Sequence, residues 1–158
     1  MKSLKTILAL STLALASSAF AYTNPYVFGS SNSQIGLLPA VDFSINLGGG
    51  ADQVVGPFGL RGAANVGFGS GLTELGASAA LTYPFALDAY SPYLGVGLGF
   101  NSSTGLPSST NVFGLLGTDF YLNNNGRIFV EAVPSYTLGG GSNAFSLGLT
   151  AGLKVNLN

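Results

Sequence analysis

The chain has 158 residues, enough for one domain, with 47% hydrophobic and only 7% charged residues. Ordinary globular proteins carry roughly 25% charge, so a water-exposed surface is hard to assemble from this composition. Cysteine and histidine are both absent, which removes disulfides, thiol and histidine catalysis and the commonest metal ligands together.

The formal net charge is −1. Lys2 and Lys5 lie in a leader-like segment, and without them three bases face six acids. An acidic chain is a poor partner for nucleic acid, which needs a basic surface.

Residues 1–21 have the layout of a secretory signal. Lys2 and Lys5 precede an apolar run, Ile7 to Ala16, that is too short to span a bilayer. Ala19-Phe20-Ala21 is an A-x-A cleavage site, predicting cleavage after Ala21 and Tyr22 as the mature N-terminus. Residues 22–158 then form the single mature domain.

The mature chain alternates apolar and small or polar residues, the period of a β-strand. A short first strand is expected over Pro25 to Ser30, followed by a turn at Ser31-Asn32-Ser33. The second, Gln34 to Leu47, sets Ile35, Leu37, Val41, Phe43, Ile45 and Leu47 against Asp42, Ser44 and Asn46. Gly48 to Gln53 is expected to be a loop. The third strand, near Val54 to Phe68, has Leu60, Val66 and Phe68 opposite Arg61 and Asn65. The fourth, Leu72 to Phe85, has Leu75, Leu81 and Tyr83 opposite Glu74, Ser78 and Thr82.

The fifth strand, Pro92 to Phe100, has Leu94, Val96, Leu98 and Phe100 opposite Tyr93 and three glycines. Asn101 to Asn111 is expected to be the one longer loop. In the sixth strand, Val112 to Leu122, the phases mix: Phe113, Leu115 and Tyr121 share a face with Asp119. Asn123-Asn124-Asn125-Gly126 is a strong turn signal. The seventh, Arg127 to Leu138, sets Ile128, Val130 and Tyr136 against Arg127, Glu131 and Ser135. The last, Phe145 to Leu157, has a wholly apolar face and carries Lys154 on the other.

Eight strands without a helix predict an all-β, antiparallel up-and-down barrel, since closure removes open sheet edges. Connections after strands two, four and six fall on the side of the mature termini, and the longest loop falls on the other. A soluble barrel would turn the apolar face inward; a membrane barrel would turn it to lipid. Asp42, Arg61, Glu74, Asp119, Arg127, Glu131 and Lys154 all fall on the small, polar phase, whereas Asp52 and Asp88 are expected in turns. A narrow eight-stranded lumen needs small residues and a wetted exterior does not. Aromatics gather near the strand ends: Phe58, Tyr83, Phe85 and Phe120 at one, Phe68, Phe100, Tyr136 and Phe145 at the other. That placement resembles the two interfacial girdles of a transmembrane barrel, although tryptophan is missing.

On this pattern, including Pro92-Tyr93-Leu94-Gly95-Val96-Gly97-Leu98-Gly99-Phe100 and a strand at the C-terminus, the chain resembles the small eight-stranded outer-membrane barrels of the OmpA/OmpX type. The resemblance implies export to the outer membrane, lipid as the surroundings, possible docking to other envelope proteins, and no cofactor. It departs from the family at Leu157-Asn158, where such barrels commonly end on an aromatic residue, so an atypical insertion signal is expected.

The chemistry on offer is narrow. Enzymatic barrels resembling this family depend on histidine, which is missing, and no enzymatic activity is expected. Asp119 and Glu131 could be a carboxylate pair for acid–base work, but carboxylates in such a lumen need cationic partners. The expected partners are Lys154 for Glu131 and Arg61 for Asp42, forming charge clusters that plug the barrel. Gly95-Val96-Gly97-Leu98-Gly99 lacks the following helix and lysine of a phosphate loop. Three functions stay open: a structural envelope barrel with a plugged lumen, a narrow pore for ions or small solutes, and an adhesion or docking protein using the 101–111 loop.

Overall fold

The structure is a computed structural model, and it describes residues 24–36, 41–69, 72–85, 87, 90–105, 107–139 and 143–157. The signal and its cleavage site at Ala19, Ala21 and Tyr22 lie outside the described residues, as does Asp88. The described residues form eight strands: β1 (Asn24–Gly36), β2 (Val41–Val55), β3 (Phe58–Gly69), β4 (Leu72–Pro84), β5 (Tyr90–Ser103), β6 (Ser109–Tyr121), β7 (Gly126–Gly139) and β8 (Ala144–Asn156). Each pairs antiparallel with its neighbours in sequence, and β1 pairs with β8 to close the barrel. At 12–15 residues, the strands exceed the roughly 9–11 needed to cross a bilayer at a tilt.

The two faces of the wall settle which side meets water. Leu47 is 68% exposed, Val96 67% and Leu98 60%, all on the outer face. Inside, Asp119, Glu131 and Lys154 are buried. A soluble barrel would show the reverse, so the apolar outer belt is a lipid-facing one. Phe43 pairs with Phe68, and Tyr136 with Phe145, all four exposed near the end away from the termini. Near the termini, Phe58, Tyr83 and Phe85 stack edge-on with ring centroids 5.4 and 5.0 Å apart. Ser31 and Ser33 interrupt the belt on the outer face of β1.

Three sequence expectations are corrected. Ser31-Asn32-Ser33 is not a turn but the middle of β1, because its backbone is held in ladders with β2 and β8 on both sides. The Gly48–Gln53 run is not a loop either: β2 continues to Val55, and the turn is at Gly56-Pro57. Those glycines make room for rings. A Cβ on Gly48 would lie 2.5 Å from Phe28 Cζ, and one on Gly50 2.7 Å from Tyr26 Oη. The register then slips between Ala51 and Val55, where Gln53 takes a φ of 60°, a β-bulge after which Val55 pairs with Phe58.

The third correction concerns the 101–111 loop. β5 extends to Ser103 and β6 begins at Ser109, so the connection is 104–108. It is no longer than 85–89 on the opposite side, and loop length does not distinguish the two ends. Small polar residues at 101–103 and 109–111 read as loop, but they are strand positions, of which Asn101, Ser103, Ser109 and Asn111 line the lumen. At 122–125 the turn is where the sequence puts it. Asn123 Oδ1 accepts hydrogen bonds from Asn125 N at 2.9 Å and Gly126 N at 2.7 Å, and β7 starts at Gly126.

Candidate functional site

The interior is built from the inward phase of every strand. Tyr26, Phe129 and Leu115 are the largest fully buried side chains. Tyr26, Phe28 and Phe129 pack together with Ala63, while Ala80, Phe113 and Leu115 pack with Val133. These rings lie over glycines of the neighbouring strands. Cβ atoms on Gly117 and Gly152 would come within 2.6 Å of Tyr93 Cζ and 2.7 Å of Phe129 Cε1, and Gly97 faces Phe113 in the same way. Large and small residues thus alternate around the wall, which lets side chains close the middle of a narrow barrel.

Two ion-pair groups sit among these rings. In the first, Arg61 binds Glu131 through both guanidinium nitrogens, with Nη2 donating to Oε2 at 2.9 Å. Tyr93 Oη donates to Glu131 Oε1 at 2.5 Å, and Arg61 lies over the Phe28 ring at 5.1 Å. In the second, Lys154 Nζ donates to both oxygens of Asp119 at 2.9 and 2.8 Å. Three rings surround that ammonium, Tyr26 at 4.7 Å, Tyr93 at 5.1 Å and Phe129 at 5.6 Å. Arg127 Nη1 reaches Asp119 Oδ2 at 3.3 Å and Asp52 Oδ2 at 3.5 Å.

The ion pairs differ from the sequence expectation in who meets whom. Glu131 is opposite Thr150, and Lys154 is opposite Arg127. Glu131 and Lys154 are therefore four residues out of step along the β7–β8 ladder, and Lys154 finds its carboxylate on β6 instead. Arg61 is opposite Gly50, eight residues from Asp42, or about 26 Å along the strand. Asp42 cannot be its partner; the Asp42 side chain itself lies outside what the structure describes. Glu74 belongs to neither group and accepts a hydrogen bond from Ser103 Oγ at 3.2 Å.

Asp52 was expected in a turn but faces the lumen from β2. Its parity matches Ser44 and Asn46, and that signal is masked by the intervening glycines. The lumen rings Tyr26, Phe28 and Phe129 were also missed, although each sits on the polar phase of its strand. As acid–base candidates, Asp119 and Glu131 are each bound by their own cations rather than by one another. Among the described residues, no three Asp or Glu side chains gather to hold a metal.

The plug divides the lumen into two cavities. The one toward the termini is about 210 Å³, lined by Tyr26, Asp52, Tyr93, Asp119, Arg127 and Lys154 among others. The one toward the far end is about 340 Å³ and mixes Asn, Ser and Gln with Phe, Ala and Gly. Arg61 is the one described residue that borders both.

No family model and no curated protein matches the chain. Among solved structures, it is similar to Neisserial surface protein A, at 19% identity over 84% of this chain and 97% of that one, with a TM-score of 0.68. It is also similar to the outer membrane enzyme PagL, at 14% identity over 81% and 98%, TM-score 0.60. The N-terminal β-barrel domain of Pseudomonas aeruginosa OprF matches at 16% identity over 82% and 96%, TM-score 0.53. At these identities the likeness is one of architecture. Together with the closed eight-stranded ring and its apolar outer belt, it gives the chain the fold of the small outer-membrane β-barrels of the OmpA/OmpX type.

Proposed function

We propose that the protein is an integral outer-membrane barrel with a structural role in the envelope, without enzymatic activity, and with a lumen closed by its own side chains. One observation carries this reading. Arg61 on β3 and Glu131 on β7 meet across the lumen and, with the packed rings, separate the two cavities. Eight-stranded barrels typically have interiors filled by side chains, and here the filling is both apolar and ion-paired.

Histidine and cysteine are absent, and Asp119 and Glu131, the carboxylates considered for acid–base work, are each bound by cations. PagL is an enzyme, but what this chain shares with it is architecture. A pore reading would need a continuous path past Arg61. An adhesion reading would need more outer material than the five-residue 104–108 connection provides. Lipid is the partner its outer belt fits.

Reconstitution in planar bilayers tests the reading. The unmodified protein is expected to give no steady open current. A steady ohmic current at low voltage would overturn the closed-lumen reading in favour of a pore.

A further inference from the structure

The far cavity has a chemistry that a merely filled lumen does not require. We propose that it is a binding cup for a small, uncharged, polyhydroxylated molecule of monosaccharide size. This goes beyond the structural role proposed above and does not depend on the lumen being closed to ions.

The cup is about 340 Å³, within the usual range for small-molecule sites. Its base is the Arg61–Glu131 pair with the Phe28 and Phe113 rings, and its wall carries carboxamides from five strands: Asn32, Asn46, Asn65, Asn101 and Asn111. A carboxamide offers two donors and an acceptor oxygen, which is the complement of a sugar hydroxyl that both donates and accepts.

Asn46 Nδ2 donates to Ser30 Oγ at 3.3 Å, but two of the other amides are not fully spent on the protein. Asn32 Oδ1 and Asn111 Oδ1 are buried and have no hydrogen-bond donor in the protein. They are turned against the wall at Gly148 and Gly99. Both residues line the cavity. A half-turn of either amide exchanges oxygen for nitrogen without changing its shape, so each can present the group that a hydroxyl requires. The same glycines give the amides their room: Gly76 stands opposite Asn65 and Asn101, and a Cβ there would push both into the cup.

Charge and polarity narrow the ligand class. Among the described lining residues, the one cation is Arg61, already bound by Glu131, so nothing is free to hold an anion; the second carboxylate of the lining, Glu74, accepts a hydrogen bond from Ser103 Oγ at 3.2 Å. The amide and hydroxyl wall disfavours an apolar ligand. The Phe28 and Phe113 rings at the base suit the C–H face of a sugar ring, since an aromatic face is electron-rich.

The test uses the full barrel folded in a zwitterionic detergent that carries no sugar headgroup. Saturation-transfer NMR is recorded with glucose, galactose and N-acetylglucosamine. Transfer to at least one of them is expected, weakened by about tenfold in Asn65→Leu/Asn111→Leu through loss of two hydrogen bonds. Val96→Leu on the outer wall leaves it unchanged. In the unmodified protein, the same sugar should shift backbone amide resonances at 65, 101 and 111 and leave those at 52, 119 and 127 in place. No transfer to any of the three sugars, or shifts confined to the termini side, would overturn the proposal whether or not the double variant folds.

Discussion

Arg61 and Glu131 are 70 positions apart, on strands that face each other across the ring, yet Arg61 Nη2 donates to Glu131 Oε2 at 2.9 Å. The bond spans the lumen at a depth where the Glu131 side chain is 0% exposed and the Arg61 side chain 12%. Removing one partner strands the other charge among Phe28, Phe129 and Tyr93. Glu131→Ala is therefore predicted to lose about 3–5 kcal/mol of folding stability. Arg61→Met/Glu131→Met replaces both charges with apolar volume and should lie within about 1 kcal/mol of the unmodified protein. Urea-dependent folding into lipid vesicles measures both, and a double variant as unstable as Glu131→Ala would contradict the pairing.

Lys154 and Asp119 form the second bond across the interior, and this one has a reserve. If Lys154 is replaced by Met, Asp119 still has Arg127 at 3.3 Å. If Asp119 is replaced by Ala, Lys154 loses both of its carboxylate contacts and Arg127 loses its nearer one. The predicted order of destabilisation is Asp119→Ala greater than Lys154→Met, with Lys154→Met also milder than Glu131→Ala. The midpoint of the heat-dependent shift in gel migration ranks the three. An inverted order would mean that Asp119 depends on Lys154 alone.

Parity was legible in the sequence because it is local. Alternation within each strand was enough to put Arg61, Glu74, Asp119, Arg127, Glu131 and Lys154 inside and Leu47, Val96 and Leu98 outside. Register was not legible, since it is fixed jointly by turn lengths and by closure of β1 on β8. Hence Lys154 could not be matched to Asp119, nor Arg61 to Glu131. Small residues misled for the same reason. Gly48 and Gly50 resemble a loop until Phe28 and Tyr26 are known to lie over them, and Asn101 and Asn111 resemble one until they are seen to line a cavity. Composition reports which residues are small; only the neighbouring strand says what the space is for.

That space can be probed one methyl at a time. A Cβ on Gly48 would meet the Gly62 carbonyl oxygen and, at 2.5 Å, Phe28 Cζ, whereas one on Gly62 would meet nothing closer than Ser78 O at 3.6 Å. Gly48→Ala must displace a buried ring and is predicted to cost about 1–3 kcal/mol. Gly62→Ala should be neutral or stabilise by up to about 1 kcal/mol, because alanine loses less backbone freedom on folding. Equal effects in chemical unfolding would show that crowding by Phe28 and the Gly62 carbonyl is not what holds a glycine at 48.

The wall between the cavities has a single described residue bordering both, Arg61. Truncating Arg61 alone leaves Glu131 as a buried charge, which confounds any change in conductance with poor folding. Arg61→Ala/Glu131→Ala removes the charges together and takes out the side chains that separate the cavities. It is expected to conduct in planar bilayers with a small current of weak ion preference, because Asp52 and Asp119 border the widened path together with Arg127 and Lys154. Arg61→Met/Glu131→Met restores volume without charge and should stay closed. The contrast between the two double variants separates a plug made of volume from one made of charge. If both conduct, the ion pair itself is the barrier; if neither does, the Tyr26, Phe28 and Phe129 rings close the lumen without Arg61.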